Sequence, residues 1–425
     1  MIDELLELVE VDAAVARAAR AARSAAARGG PGRAAVTARV RAGVLRAFML
    51  EGLAESDLAG TLGYGYDDAA RDRYESLLAR YFGAERALAR FSFVSGTHAI
   101  VAALDACLPP GGRLVAATGR PYDTLRNAIA TAPGALVERG VRYDEVAMGA
   151  DGVDLEALRR ACEPGADAVF VQRSRGYAPR RSLSAAECGE VARVAREAAP
   201  GALVLVDNCY GELVDATEPT HHGVDAVMGS LIKNVGGGLA PGGGYVIGRA
   251  EVVERVAARH YAPGLGTAVG STLGWGRALL QGFFHAPLAV AESLAGLDWA
   301  AALFEELGFG VDPRPGAPRH DIVQAIRLGG ASRLIAFARG LQKSLPVNAR
   351  FAPEPGPVPG YPDPVVMSSG AFVNGATIEL SCDAPLRPPF EVYLQGGTMR
   401  EHVALGAILA ADAVLKESKS VSPEK

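Results

Sequence analysis

The first sixty residues carry apolar positions at helical spacing. Ala-rich stretches from Glu4 to Arg28 are broken by Gly29-Gly30-Pro31-Gly32, and a second helical stretch runs from about Ala34 to Ala54. Their amphipathic character predicts a packing arm. From about residue 85 the pattern changes to short runs that are apolar throughout, alternating with amphipathic helices such as Leu183–Ala198. The expected strands are Phe91–Val94, Arg113–Ala117, Ala135–Glu138, Ala168–Gln172, Leu203–Asp207, Ala226–Gly229 and Gly244–Ile247. Strands without a polar face, separated by helices, predict an α/β fold with a mostly parallel central sheet covered on both sides. Ligands of such sheets bind beyond the carboxyl ends of the strands. A Gly-rich stretch from Gly236 to Gly244 precedes a long helical region, Ser271 to Leu307. A Pro-rich segment, Phe351 to Pro364, then lies among short strands, and a helix from Glu401 to Leu415 follows. This organisation divides the chain into a helical arm (1–60), a large domain (61–290) and a smaller C-terminal α+β domain (291–425).

Composition narrows the classes. The 425 residues are 49% apolar and 21% charged, with a formal net charge of −5. That is enough apolar chain for a large core and too much for intrinsic disorder. The acidic balance argues against a nucleic-acid partner. No apolar run approaches the roughly 18 residues that span a bilayer, so no membrane association is expected. Met1-Ile2-Asp3-Glu4 is acidic, unlike a secretory leader. Five dispersed cysteines without a CxxC pair read as reduced thiols of a cytoplasmic protein. There is no P-loop, no G-x-G-x-x-G, no HExxH and no His, Cys or carboxylate set at metal-ligand spacing, so no metal is expected.

Four segments fall at strand ends. Ser95-Gly96-Thr97-His98-Ala99 is a small-residue turn opening a helix, whose free N–H groups suit a phosphate, although such turns also occur without ligands. Tyr122, in Pro121-Tyr122-Asp123-Thr124, is either a stacking platform for a planar ligand or an ordinary half-buried tyrosine. Asp207 ends the apolar strand Leu203–Asp207, where a carboxylate is costly unless it meets a cation such as a protonated pyridine or caps the next helix. Lys233, in Ser230-Leu231-Ile232-Lys233-Asn234, is either an imine-forming amine whose pKa burial lowers or a lysine snorkelling to solvent.

Taken in order, these segments have the layout of a fold-type I pyridoxal-phosphate enzyme. Gly63-Tyr64-Gly65-Tyr66-Asp67-Asp68, Val94–Ile100, Gln172-Arg173-Ser174-Arg175-Gly176-Tyr177, Val206–Glu212, Ser230–Asn234 and Tyr393-Leu394-Gln395-Gly396-Gly397 resemble one branch of the cysteine/methionine-metabolism enzymes. This is the aluminium resistance protein branch, many of whose members are methionine γ-lyase-like. The similarity extends over nearly the whole chain from about residue 40.

The resemblance implies a pyridoxal 5'-phosphate cofactor, with Lys233 as Schiff-base lysine and proton shuttle. It implies Asp207 on the pyridine nitrogen and Tyr122 stacked on the ring. Gly96, Thr97 and the Ser230 hydroxyl would hold the phosphate. Tyr64 or Tyr66 would come from a neighbouring subunit of a homodimer or homotetramer with shared sites, and Tyr64 or Tyr122 could protonate a leaving group. Arg387 is the first candidate for the carboxylate of a small amino-acid substrate, with Arg173 second.

Three positions depart from the family's pattern. Ile232 stands where a second hydroxyl is common, Val235 replaces a Pro, and Arg400 stands where a Tyr is usual, which changes the charge and size of any pocket it lines. The expected activity is γ- or β-elimination from an L-amino acid bearing a thiol, thioether or halide. Replacement of the γ substituent by a thiol and transamination are the enzymatic alternatives. A non-catalytic metal-tolerance or regulatory role is the alternative of another class.

Overall fold

A computed structural model of the chain describes residues 1–26, 30–149 and 151–421. Arg28 and Gly29, at the expected break in the helical arm, lie outside them. Helices α1 (Ile2–Glu7), α2 (Ala13–Ala26) and α3 (Gly30–Glu51) open the chain. There follow α4 (Ala69–Phe82), β1 (Arg86–Arg90), α5 (Gly96–Cys107), β2 (Arg113–Ala116), α6 (Asp123–Arg126) and β3 (Arg142–Glu145). A short ribbon, β4 (Met148–Gly149) and β5 (Gly152–Val153), leads to α7 (Leu155–Cys162), β6 (Ala168–Gln172), α8 (Ala185–Ala198) and β7 (Leu203–Asp207). Next come β8 (Ala226–Ser230), β9 (Gly244–Gly248), α9 (Ala250–His260) and the long α10 (Gly276–Glu306). The remainder is β10 (Gly310–Asp312), β11 (Val323–Arg327), α11 (Ala331–Gln342), β12 (Val365–Ser369), β13 (Ser381–Pro385), β14 (Glu391–Gln395) and α12 (Arg400–Val421).

The chain forms two compact units. One is Arg39–Pro287; the other joins Met1–Ala38 to the residues from Leu288 onward. The helical arm is therefore divided between units and does not stand as a separate segment of sixty residues. Its first part is tied to the C-terminal helix by ions: Asp12 accepts from Lys419, and the Asp12 N–H donates to Asp412 at 2.8 Å.

In the larger unit a seven-stranded sheet runs β1-β9-β8-β7-β6-β2-β3. Strands β8, β7, β6, β2 and β3 are mutually parallel, while β9 is antiparallel to both β8 and β1. The central strands AVFVQ, LVLVD and AVMGS are buried nearly end to end, because helices cover both faces. Ser95 caps α5 by accepting from the His98 N–H at 3.1 Å, and Ser184 and Glu187 form a capping box on α8.

Two expected strands are misplaced, and both lie at the sheet's edges. The first edge strand is Arg86–Arg90, not Phe91–Val94, which forms a turn with Val94 exposed. Arg90 is buried, donating to the carbonyls of Ala89, Thr267 and Val269 and pairing with Glu75. The other edge is Arg142–Glu145, while Ala135–Glu138 is largely turn. Edge strands carry charge because one side faces water, which hides them from a search for apolar runs.

The smaller unit contains a five-stranded antiparallel sheet, β10-β11-β14-β13-β12, with α11 and α12. Among the described residues, α10 alone has the length and hydropathy to cross a bilayer. That departs from the expectation of no such run, but 78% of its most apolar window is buried within the protein, as in a core helix.

Candidate active site

Strands β6, β7 and β8 end side by side, with Gln172 opposite Asp207 and Asp207 opposite Met228 in the ladders. Asp207, Lys233 and the first turn of α5 gather at this carboxyl edge, in the larger unit. Asp207 is almost fully buried. It accepts from the Cys209 N–H at 3.1 Å. Burial pushes its carboxyl up to about 6, against hydrogen bonds from Cys209 and the charges of Lys233 and Arg180, which pull it down.

Lys233 follows β8 by three residues, at the start of a short turn held by Asn234. Asn234 Nδ2 donates to the carbonyls of Tyr210 (3.0 Å) and Glu212 (2.9 Å), which ties the lysine loop to the loop after β7. The Lys233 Nζ donates to Tyr210 Oη at 2.9 Å and sits 4.1 Å from the centroid of that ring. Burial pulls the Lys233 pKa down, but the Tyr210 oxygen and the Cys209 thiol outweigh it, and the net displacement is upward. This corrects the expectation that burial alone would free the amine's lone pair.

The first turn of α5 meets the end of β8. A Cβ on Gly96 would come within 3.2 Å of Ser230 Cβ and 3.4 Å of Cys209 Sγ, so glycine lets the two segments touch. Thr97 Oγ1 and Tyr122 Oη share a hydrogen bond of 2.7 Å, and the Tyr122 N–H donates to Gln172 Oε1 at 3.0 Å. The structure thus brings Gly96, Thr97, Tyr122, Asp207, Ser230 and Lys233 to one edge of one sheet.

Tyr64 and Tyr66 are 80% and 59% exposed on a loop of the same unit. Gly65, between them, has φ +72, and a Cβ there would strike Ser271 N at 2.3 Å. The loop is pinned by Arg71, which donates to Gly65 O at 2.6 Å.

Arg173 is not a substrate ligand. It is fully buried, with its guanidinium donating to Asn208 Oδ1 (2.6 Å), Asp215 Oδ2 (2.8 Å), Glu218 Oε2 (3.3 Å) and the Leu183 carbonyl (3.1 Å). Arg387 and Arg400 belong to the smaller unit. Arg387 pairs with Asp363 at 3.3 Å. Arg400 opens α12 and grips Glu292 with two nitrogens, so the charge it brings is offset at once.

Sequence reasoning passed over Tyr210, Arg180 and Glu212 as site residues. Arg180 Nη1 donates to the Thr118 carbonyl and Nε to that of Arg175 at 3.2 Å. Burial lowers its pKa to about 10 while Asp207 raises it. Glu212 is fully buried. Its Oε1 accepts from Tyr245 Oη at 2.6 Å, and its Oε2 has no partner among the described residues. Burial pushes its carboxyl up to about 8. Tyr210 and Glu212 stand inside the run Val206–Glu212, but only a structure shows where the turn sends them.

A phosphate-binding helix start, a buried carboxylate and a lysine at neighbouring strand ends of a mixed α/β sheet define a pyridoxal-phosphate enzyme of fold type I. The residues suit that cofactor. Asp207 is a buried carboxylate left short of positive charge, as a protonated pyridine nitrogen requires. The first turn of the twelve-residue α5, drawn against Ser230 by Gly96, offers N–H groups and a hydroxyl to a phosphate. The methionine gamma-lyase family model matches residues 33–415, and the chain belongs to that family. Protein YnbB of Bacillus subtilis (strain 168) is 40% identical over 379 residues, 88% of this chain and 90% of YnbB. A solved carbon-sulfur lyase involved in aluminum resistance, from Clostridium novyi NT, has 35% identity and a TM-score of 0.91, covering 96% of this chain and 98% of that one. A cystathionine gamma synthase from Xanthomonas oryzae pv. oryzae, at 18% identity and TM-score 0.62, shares the fold, with 90% of this chain and 99% of that one covered. Family and neighbours together make this a pyridoxal-phosphate-dependent lyase of the carbon–sulfur class.

Proposed function

We propose that the chain eliminates a thiol, thioether or halide from the γ or β carbon of an L-amino acid. The observation that carries this reading is the meeting of Lys233, Asp207 and the Gly96–Ser230 contact at one sheet edge. Pyridoxal phosphate, when bound, supplies the electron sink that makes the Cα proton of an attached amino acid acidic. Lys233 is the residue that would carry the cofactor and then move the Cα proton, and for γ-elimination a Cβ proton as well. Asp207 holds positive charge at the pyridine nitrogen. Gly96, Thr97 and Ser230 would hold the phosphate, and Tyr122, oriented by Thr97 and Gln172, would stack on the ring.

Arg387, in the smaller unit, is the candidate for the substrate carboxylate. Tyr64 and Tyr66 are solvent-facing on a pinned loop, which suits delivery to the site of a second copy in a homodimer or homotetramer. The test is an amino-acid panel in heavy water with the loaded protein, read by mass spectrometry, including methionine, homocysteine, cystathionine and γ-halogenated amino acids. Deuterium at Cα and Cβ with loss of the γ group identifies γ-elimination. Loss of a β group, with deuterium at Cα alone in the recovered substrate and at the methyl carbon of the 2-oxo acid product, identifies β-elimination. Exchange without loss of any group defeats the proposal.

A further inference from the structure

Tyr210 is held in a conformation that its own preferences oppose. Its φ is +70, in the left-handed region that is unfavourable for a bulky residue. Leu213, three residues on, is also left-handed at φ +63. The surroundings enforce both. Asn234 Nδ2 grips the Tyr210 carbonyl at 3.0 Å, and Glu218 Oε1 accepts from the Leu213 N–H at 2.7 Å. Glu218 is in turn held by Arg173 and by Asn208 Nδ2 at 3.0 Å. Strain of this kind persists where the displaced side chain is needed. Here it folds the Tyr210 ring back over Lys233, with the hydroxyl 2.9 Å from Nζ. A packing role would not require the hydroxyl to end on the one amine of the site.

We infer that Tyr210 is a second catalytic residue, whose hydroxyl holds the Lys233 amine and sets its protonation. This rests on Lys233 being the residue that carries the cofactor. Among the described residues, the ionisable groups that act most on Lys233 are Tyr210, Cys209 and Glu212 from the turn after β7, and Lys233 acts in turn on Asp207 at the strand end. Cys209 and Glu212 are buried acids pushed toward their neutral forms, the Cys209 thiol well above its usual value. Tyr210 is half-buried and within hydrogen-bond reach, which makes it the group that decides when the amine gives up its proton.

The test is cofactor uptake by the full-length chain after the cofactor has been removed. Pyridoxal phosphate is added across a range of pH and uptake is followed by visible absorbance. Borohydride trapping and peptide mapping then identify the modified lysine. In Tyr210→Phe the largest of the contributions that oppose burial at Lys233 is lost. The uptake profile then moves to lower pH by about one unit, and uptake at neutral pH rises roughly tenfold. Tyr210→Asn, which a left-handed backbone tolerates, gives the same shift should the Phe variant fold poorly. An unchanged profile, or one displaced to higher pH, overturns the role of Tyr210. A label that maps to a lysine other than Lys233 overturns instead the assignment on which it rests.

Discussion

Two clusters of buried charge lie a few residues apart at the ends of β6 and β7, and they are built on opposite principles. Around Arg173, one guanidinium donates to two carboxylates, an amide oxygen and a carbonyl, so the buried cation is paired within the fold, while burial pushes the Glu218 carboxyl up. Around Lys233, a buried aspartate is pushed toward protonation, a glutamate oxygen is left alone and the lysine leans on a phenol. Buried charge is tolerable only when paired. The matched cluster holds structure in place, and the mismatched one is completed only when a ligand supplies what is missing. That distinction weighs against Arg173 as a substrate ligand and keeps Asp207 among the candidate cofactor ligands.

The contrast can be broken at both ends. Lys233→Ala lowers elimination by at least about 10³-fold, because it removes the proton-moving group and the attachment point. The fold stays intact, as an unchanged circular dichroism spectrum and loss of the borohydride-trapped adduct check together. Arg173→Met does the reverse: it removes the buried guanidinium that pairs with Glu218 and Asp215 and costs about 3–5 kcal/mol of stability, measured by denaturant unfolding. Asp207→Asn lowers turnover by about 10²-fold. It leaves the cofactor-free chain at least as stable as before at neutral pH, because a carboxylate that burial disfavours has become neutral. A loss of stability in Asp207→Asn as large as that in Arg173→Met would erase the difference between the clusters.

The same contrast explains what could be read from the chain alone. Strands Ala168–Gln172 and Leu203–Asp207 were legible to the residue because burial on both faces forces an unbroken apolar run. Edge strands β1 and β3 were not, because Arg86, Arg90 and Arg142 interrupt the pattern and the burial of Arg90 depends on distant carbonyls. Lys233, Asp207 and Gly96 read as candidates because each stands where an apolar run stops abruptly, and the structure brings them to one sheet edge. Arg173 was misjudged since residue type alone cannot tell an arginine that awaits a carboxylate from one that already holds two. Tyr210 was passed over because its position depends on a positive φ that no propensity favours. The arm reads as one piece in the sequence because the hydrogen bond and ion pair that bind Asp12 to α12 link residues some four hundred positions apart.

Glu212 offers the finest probe of the mismatched cluster. It sits 2.6 Å from Tyr245 Oη with its other oxygen alone, and burial pushes its carboxyl from an ordinary 4.5 up to about 8. Between those two values the folded chain holds a proton there that the unfolded chain has released. Stability therefore falls as pH rises, by roughly 1.4 kcal/mol for each unit crossed. Asp207 acts in the same direction, between its ordinary 3.8 and about 6. Glu212→Gln keeps an acceptor for Tyr245 and removes the titration. The slope of unfolding free energy against pH between about 6.5 and 8 then flattens, and the variant is the more stable protein at the upper end. Below the ordinary value of 4.5 the two proteins show the same slope, because Glu212 is then protonated in both the folded and the unfolded parent. Denaturant unfolding of the cofactor-free chain at several pH values measures both slopes. Parallel slopes would mean that the Glu212 carboxylate finds its compensation inside the fold, and that the cluster around Lys233 is matched as closely as the one around Arg173.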